Sequence, residues 1–335
     1  MSENQAARST SRRASRWTSH RTTGLGGLLL QRLFQAGLVA WMVGTLTFVL
    51  TRSLPGDMAY RIAAGRYGHD MVNTTAAEAV RAELALDQPA LGAYFGWLWD
   101  LIQLDLSRSL VSGEPVVAEL WHQLGHSLGL AALAVLLSLL LGPPLGLLAG
   151  LKPNGMLDRV SEVAASVLRA LPPFAVGLIL ILIFSVTLGW LPAAGHGRSA
   201  HGVLPALTLA LALAAISSRV ARNAMADVSQ SAYYAFSRTK GLGERLSFLR
   251  HGLRNAAVPV VAYLGVQFVY LIEGVVVVET LFAWPGIGHA LVHAIVARDV
   301  PMIQGTALVM GLMFVALNTV VDLLCYWLDP RRRSA

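Results

Sequence analysis

Six stretches of the chain are apolar over bilayer length and nearly free of charge. They run from about Leu28 to Leu50, Leu124 to Leu151, Ala170 to Leu191, Val203 to Ser218, Ala256 to Val278 and Met302 to Leu328. A bilayer core about 30 Å thick needs roughly 20 apolar residues of helix, so each reads as a transmembrane helix, the fourth a short one. Arg32 interrupts the first near its start, Glu273 lies inside the fifth, and Asn318 and Asp322 lie inside the sixth. The pattern predicts an all-α integral membrane protein with six spans. It divides into a tail over 1–27, a first span over 28–50, an external segment over 51–120, a five-helix core over 121–328 containing an inner loop at 225–255, and a terminal segment over 329–335.

Charge placement gives the orientation. Six arginines fall at or before Arg32 against one acid, Glu3, and six arginines and one lysine fall from Arg219 to Arg254 against Asp227 and Glu244. The 51–120 segment reverses this, with nine acids against five arginines. Short basic loops stay in the cytoplasm, so both termini, the Lys152–Arg159 turn and the 219–254 loop are expected inside. The 51–120, 190–202 and 279–301 loops are then outside, and the sides alternate as six spans require. The Arg-rich, acid-poor tail is expected to be disordered. A twin-arginine signal or transit peptide is the alternative reading, but the apolar run that follows is span-length and lacks a small-x-small cleavage site. Trp97, Trp99 and Trp121, among polar neighbours, suit a membrane interface, so the external segment is expected to rest partly on the bilayer.

Composition agrees: 55% of the residues are hydrophobic and 13% charged, against about 25% charged in soluble domains. The basic clusters flank apolar runs, which makes them a topology signal and excludes a nucleic-acid footprint. The one cysteine, Cys325, allows no intrachain disulfide and reads as a small buried apolar residue.

No catalytic constellation is present. Gly-x-Ser-x-Gly, His-Glu-x-x-His and Gly-x-Gly-x-x-Gly do not occur, and the two lysines, Lys152 and Lys240, follow Leu151 and Thr239. A P-loop needs Gly-Lys-Ser/Thr, so any ATP-binding Walker site lies on a partner, and the chain is not expected to be an enzyme. The inner loop carries Tyr233 to Leu242 and then Arg250-His251-Gly252-Leu253-Arg254-Asn255. It reads as two short amphipathic helices broken at Gly241, where glycine permits the positive φ of a sharp corner. Taken alone, such a loop needs no role beyond topology control.

The order of several short runs goes further. Leu54-Pro55-Gly56-Asp57, Leu86-Asp87-Gln88-Pro89, Asp105-Leu106-Ser107-Arg108-Ser109, Leu157-Asp158-Arg159, Leu171-Pro172-Pro173-Phe174 and Leu188-Gly189-Trp190-Leu191-Pro192 follow one another along the chain. Glu273-Gly274, then Val278 through Trp284-Pro285-Gly286-Ile287-Gly288, then Asn318, Asp322 and Asp329-Pro330-Arg331 complete the series. With the Gly241 to His251 spacing, these resemble the permeases of binding-protein-dependent ABC importers, in the DppB/OppB-like dipeptide, oligopeptide and nickel branch. The likeness covers nearly everything after the tail.

That resemblance implies an importer permease fold in a bacterial inner membrane, working by alternating access. It assigns Ala235, Ser237, Arg238, Lys240, Gly241, His251 and Arg254 to helices that couple to an ATPase. It implies a homologous second permease, two ATPase subunits or one fused dimer carrying ATP and Mg, and an external solute-binding protein. No cofactor is implied in this chain. The cargo implied is a short peptide, with nickel or a metal–metallophore complex as the alternative. A stand-alone secondary transporter is the reading of another class, but it calls for an internal inverted repeat, and none is seen. The departures are Ser237 for the second alanine of the coupling signature, Met58 for proline, Ala85 for glycine, and Gly125-His126-Ser127 for Pro-Ala-Thr. His289 and His293 stand where arginine and an acid are common.

Two further sets of residues keep alternatives open. His122/His126 and His289/His293 are i,i+4 pairs, which puts two imidazoles on one helix face. They are either interface histidines bonded to water and headgroups or weak candidates for a metal site. Glu273, Asn318 and Asp322 either tie the bundle together or line a pathway, since polar groups in lipid are costly.

Overall fold

The computed structural model describes residues 25–53, 56–67, 74–83, 89–103 and 105–328. The tail before residue 25, Leu54 and Pro55, Leu86 to Gln88 and the Asp329-Pro330-Arg331 run lie outside the described residues, as do Ala85 and the side chains of Met58, Arg238, Glu273 and Cys325.

Among the described residues the chain is helical throughout, and the one bridge of strand type pairs Arg108 with Pro115. Helix α1 is Leu25–Ser53, and α2 (Met58–Tyr67), α3 (Thr74–Glu83) and α4 (Ala90–Ile102) follow in the external segment. Then come α5 (Val116–Leu151), α6 (Met156–Ala170) and α7 (Pro173–Leu180), the last continued by a π-turn over Ile181–Thr187. Helix α8 (Val203–Ser229) leads to α9 (Ala232–Thr239) and α10 (Glu244–Ser247). A π-turn over Phe248–Leu253 opens α11 (Arg254–Leu281), and α12 (Ile287–Ala297) and α13 (Val300–Leu328) complete the chain.

Among the described residues four helices are long and apolar enough to cross a membrane: Gly26–Leu50, Val116–Leu151, Ser199–Ser229 and Val300–Leu323. Helix α11 has 28 residues, about 42 Å at 1.5 Å per residue, which is also span length.

Two expected bounds are corrected. The second span was expected from Leu124, but α5 starts at Val116. Its first two turns are polar enough to hide from a hydropathy reading, and they carry the helix across the expected boundary between the 51–120 segment and the core. The third span, expected from Ala170 to Leu191, coincides with the Pro173–Thr187 helix, and the chain bends by 106° just before it, between α6 and that helix. Leu171, which precedes a proline, is extended at ψ 130°, as proline's ring demands of its predecessor. Helix α6 carries Asp158, Arg159, Glu162 and Arg169 on one side and exposed Val160, Val163 and Val167 on another, the signature of a helix lying in an interface; we read it as outside the spans. The fourth span is not short, for α8 runs 27 residues and passes through Arg219 and Arg222.

The bundle is built around α5 and α8. Gly142, Gly146 and Gly150 recur every four residues on α5 and face Ala214, Ser218, Ala221 and Met225 of α8. A Cβ on Gly146 would stand 2.0 Å from the Ser218 carbonyl oxygen, and one on Gly150 2.4 Å from that of Arg222. Small residues at this spacing let two backbones touch, and in lipid that contact replaces the hydrophobic drive. Leu130, Leu204, Leu209, Leu271, Val275 and Phe282 pack beside the seam from α5, α8 and α11. Around the outside, Leu30, Leu33 and Phe34 of α1 are each 70% exposed, as lipid-facing side chains must be.

Outside the bundle, α2 and α3 close over Ala59, Ile62, Ala63, Ala77 and Val80. Asp57 accepts the Ala59 N–H at 2.9 Å, capping α2, and pairs with Arg81 of α3. Helix α4 leans on the C-terminal half of α1: the Trp97 ring sits against Gly44 and Phe48, and the Tyr94 and Thr45 hydroxyls are 2.9 Å apart. The expected resting of the external segment on the bilayer therefore becomes a tryptophan packed against the first membrane helix itself.

Candidate functional site

The inner loop folds as two helices meeting at a glycine. Helix α9 ends at Thr239, Gly241 takes φ +84°, and α10 begins at Glu244. Nothing lies within 4 Å of where a Gly241 Cβ would be, so glycine is required by the backbone angle alone. Ser237 is buried, donates to the Tyr234 carbonyl at 2.7 Å, and its hydroxyl lies 3.1 Å from that of Ser247. The serine that replaces an alanine thus ties the two helices across their corner. Ala235 and Arg254 are exposed, and Lys240 is exposed over the Phe236 ring at 4.9 Å. His251 is half-buried on the π-turn, whose Gly252 packs against Met225 of α8. Tyr234 and Phe248 pack with Leu147, Met225 and Val228 of the bundle, and beside them lies a cavity of about 500 Å³ lined by Leu151, Lys152, Tyr234, Arg245 and Phe248 among others.

Beside the corner, Asp158 fixes α6 to α8. Its carboxylate is 2% exposed, accepts both Nε and Nη2 of Arg222, and accepts the Asn154 N–H at 2.9 Å. Arg219 adds a longer contact at 3.4 Å. The Arg222 guanidinium, outweighing burial, holds the Asp158 carboxyl well below the usual carboxylate range.

At the opposite end of the bundle a second acid is clasped. Glu279 of α11 is fully buried. Its Oε1 accepts the Ser127 hydroxyl of α5, and its Oε2 accepts the N–H groups of Gly288 at 2.8 Å and His289 at 3.3 Å. The Ser127 Oγ in turn accepts the Ile287 N–H at 2.8 Å. The first N–H groups of a helix lack intrahelical partners, and here a carboxylate and a hydroxyl from two other helices supply them. A Cβ on Gly286 would overlap the Glu279 carboxylate at 2.0 Å. Ser127 keeps the hydroxyl that the resembled family places there as threonine.

A third buried acid, Asp299, receives the Ser109 hydroxyl and the N–H groups of Leu110 at 3.1 Å and Met302 at 3.3 Å. Arg298, left-handed at φ +56°, reaches the Gly56 carbonyl at 3.4 Å. Two of the short runs read from the sequence, those at Gly56-Asp57 and at Asp105–Ser109, therefore close on the same corner between α12 and α13.

The polar residues expected inside spans separate. Asp322 pairs with Arg32 and so ties α13 to α1, while Asn318 turns back on its own helix, donating to the Phe314 carbonyl at 2.9 Å. The histidine pairs also separate. His122 and His126 face each other with Nε2 atoms 3.3 Å apart. The His289 and His293 rings lie 4.4 Å apart between centroids, with His289 Nδ1 buried and unpartnered. Among the described residues no three of His, Cys, Asp and Glu gather closely enough to hold a metal.

Sequence reading did not single out Ser127, Arg222, Arg298 or Asp299, and it quoted Glu279 and Asp158 only within longer runs. An acid six residues before a Pro-Gly, followed by an apolar helix with no capping residue of its own, was the available signal for Glu279.

Comparison with known proteins gives the family. The family model described as the binding-protein-dependent transport system inner membrane component matches residues 142–334. A glutathione transport system permease protein, GsiC of Pectobacterium atrosepticum, is 39% identical over 292 residues, covering 87% of this chain and 94% of that one. GsiC of Escherichia coli strain K12 is 36% identical over 305 residues, covering 91% and 98%. A solved structure described as an amino acid ABC transporter with histidines aligns over 62% of this chain and 93% of that one, at 16% identity and a TM-score of 0.49. With a family model over more than half its length and such relatives over nearly all of it, the chain belongs to the binding-protein-dependent inner membrane components: it is the permease subunit of an ABC importer of the peptide and nickel branch, a non-catalytic component of the inner membrane.

Proposed function

We propose that this permease carries short peptides of glutathione size from an external solute-binding protein into the cytoplasm. The observation that carries the reading is the near end-to-end correspondence with permeases named for glutathione. The working unit is this chain, a homologous second permease and two ATPase domains that hold the ATP and Mg. The chain crosses the bilayer six times with both termini inside, the Pro173–Thr187 helix and α11 joining the four long apolar helices. Nickel or a metal–metallophore complex is the alternative cargo.

The test is uptake in proteoliposomes. The assembled complex with its binding protein is expected to accumulate labelled glutathione when ATP is supplied. The permease alone is expected to show neither ATP hydrolysis nor ATP-dependent uptake. Accumulation of nickel in place of peptide by the complex would transfer the reading to the alternative cargo, and ATP-driven uptake by the isolated chain would defeat it.

The α9–Gly241–α10 corner is the part we assign to the ATPase, with Ala235, Ser237, Arg238, Lys240, His251 and Arg254 on or beside it. Support comes from its exposure, its basic face and the space beside it. Forcing a β-branched residue to φ +84° costs about 1–3 kcal/mol, confined to a loop on which the spans do not depend. Gly241→Val is therefore expected to insert at near-normal levels while binding-protein-stimulated ATP hydrolysis in the complex falls severely. Normal stimulation and uptake in that variant would place coupling elsewhere.

A further inference from the structure

We propose that His122 and His126 form a two-imidazole site for a divalent late-transition-metal ion at one end of α5, the external end if the orientation proposed above holds. Helical geometry is settled there because α5 begins at Val116, so both residues lie in regular helix and their side chains leave the same face. The two Nε2 atoms are 3.3 Å apart, with ring planes at 82°. A tetrahedral ion bound by imidazole at about 2.0–2.1 Å holds its two nitrogens about 3.3 Å apart. The separation of the two nitrogens therefore matches the bite of such an ion, which would take the place of the contact between them.

Access and support are both present. His122 is exposed and His126 half-buried. The Trp284 Nε1–H donates to the His126 carbonyl at 3.3 Å, and the indole lies edge-on to the imidazole at 6.1 Å. No third protein ligand joins them among the described residues, so water fills the remaining positions and the site is an open, exchangeable one. Imidazole donors suit copper, nickel and zinc, and affinity in such a site rises from Ni²⁺ to Cu²⁺. The neighbouring His289/His293 pair, with His289 Nδ1 buried and unpartnered, serves as the internal control.

The experiment uses the purified full chain, carrying no histidine tag, in a buffer that does not coordinate metals. Cu²⁺ and Ni²⁺ are titrated by calorimetry and by tryptophan fluorescence, with helical circular dichroism as the check on folding. One saturable site is expected, tighter for Cu²⁺ than for Ni²⁺, with quenching that Trp284→Phe diminishes while the calorimetric site persists. His122→Gln or His126→Gln alone should weaken binding about tenfold or more, because the second imidazole acts at high effective concentration. The double variant His289→Gln/His293→Gln should leave it unchanged. Unaltered affinity in either single variant, or loss of the site in the double variant, would overturn the proposal. No uptake is measured, so failure of the peptide reading leaves this result standing.

Discussion

Gly146→Leu is expected to prevent the chain from accumulating in folded form. Its Cβ would meet the Ser218 carbonyl oxygen at 2.0 Å and the Ala221 Cβ at 2.9 Å, and neither can yield without moving α8 as a whole. Overpacking a core ordinarily costs about 1–3 kcal/mol because side chains rotate aside. Here backbone opposes the new atom, so the loss should exceed about 3 kcal/mol, a large part of a typical domain's stability. Membrane yield and detergent-phase thermal unfolding read it. The control lies on the same helix: nothing stands within 4 Å of a Cβ on Gly125 or Gly129. Alanine there should be neutral or slightly stabilising, since it removes glycine's excess freedom in the unfolded chain. Equal stability for Gly146→Leu and Gly129→Ala would dismiss the seam as the organising contact.

Glu279→Ala should be nearly as damaging and for a different reason. It removes the acceptor of three donors, the Gly288 and His289 N–H groups and the Ser127 hydroxyl, and each buried unmet donor costs about 1–3 kcal/mol. It also opens a void beside Gly286. Ser127→Ala should cost less, since only the Ile287 N–H and one carboxylate oxygen lose a partner. Ser127→Thr keeps the hydroxyl and should be close to neutral. Ranking the three variants by thermal unfolding of the purified chain tests the clasp. A Glu279→Ala protein as stable as the Ser127→Thr protein would mean that the bonds are incidental.

Much of the architecture was legible because lipid leaves few choices. Apolar length and the sidedness of arginine located the helices at Leu28, Val203, Ala256 and Met302 to within a few residues. The failures have physical causes. The start of α5 carries Trp121, His122, Gln123 and His126, whose polarity masks a helix that is regular there. The last turns of α8 pass through Arg219 and Arg222, so a reading by apolar length stops short at Ser218. Gly241 was found because a positive φ leaves one residue type as the ready choice. The buried acids at 158, 279 and 299 were not singled out, because each takes a partner from another element, 9, 64 or 190 residues away. The glycine seam repeats every four residues and was available to be read, and Pro143 and Pro144 lie inside the same helix.

From Glu244 to Leu281 the backbone is a single helical shaft, about 55 Å long at 1.5 Å per residue. One end is the corner after Gly241, and the other carries the Glu279 clasp on α12. A stiff shaft delivers an axial push or a twist applied at one end to the other with little loss. The π-turn over Phe248–Leu253, wider than the α-helix on either side, is the part of the shaft with torsional slack. It sets how much of a displacement at one end arrives at the other and how much is absorbed as a change of helical register.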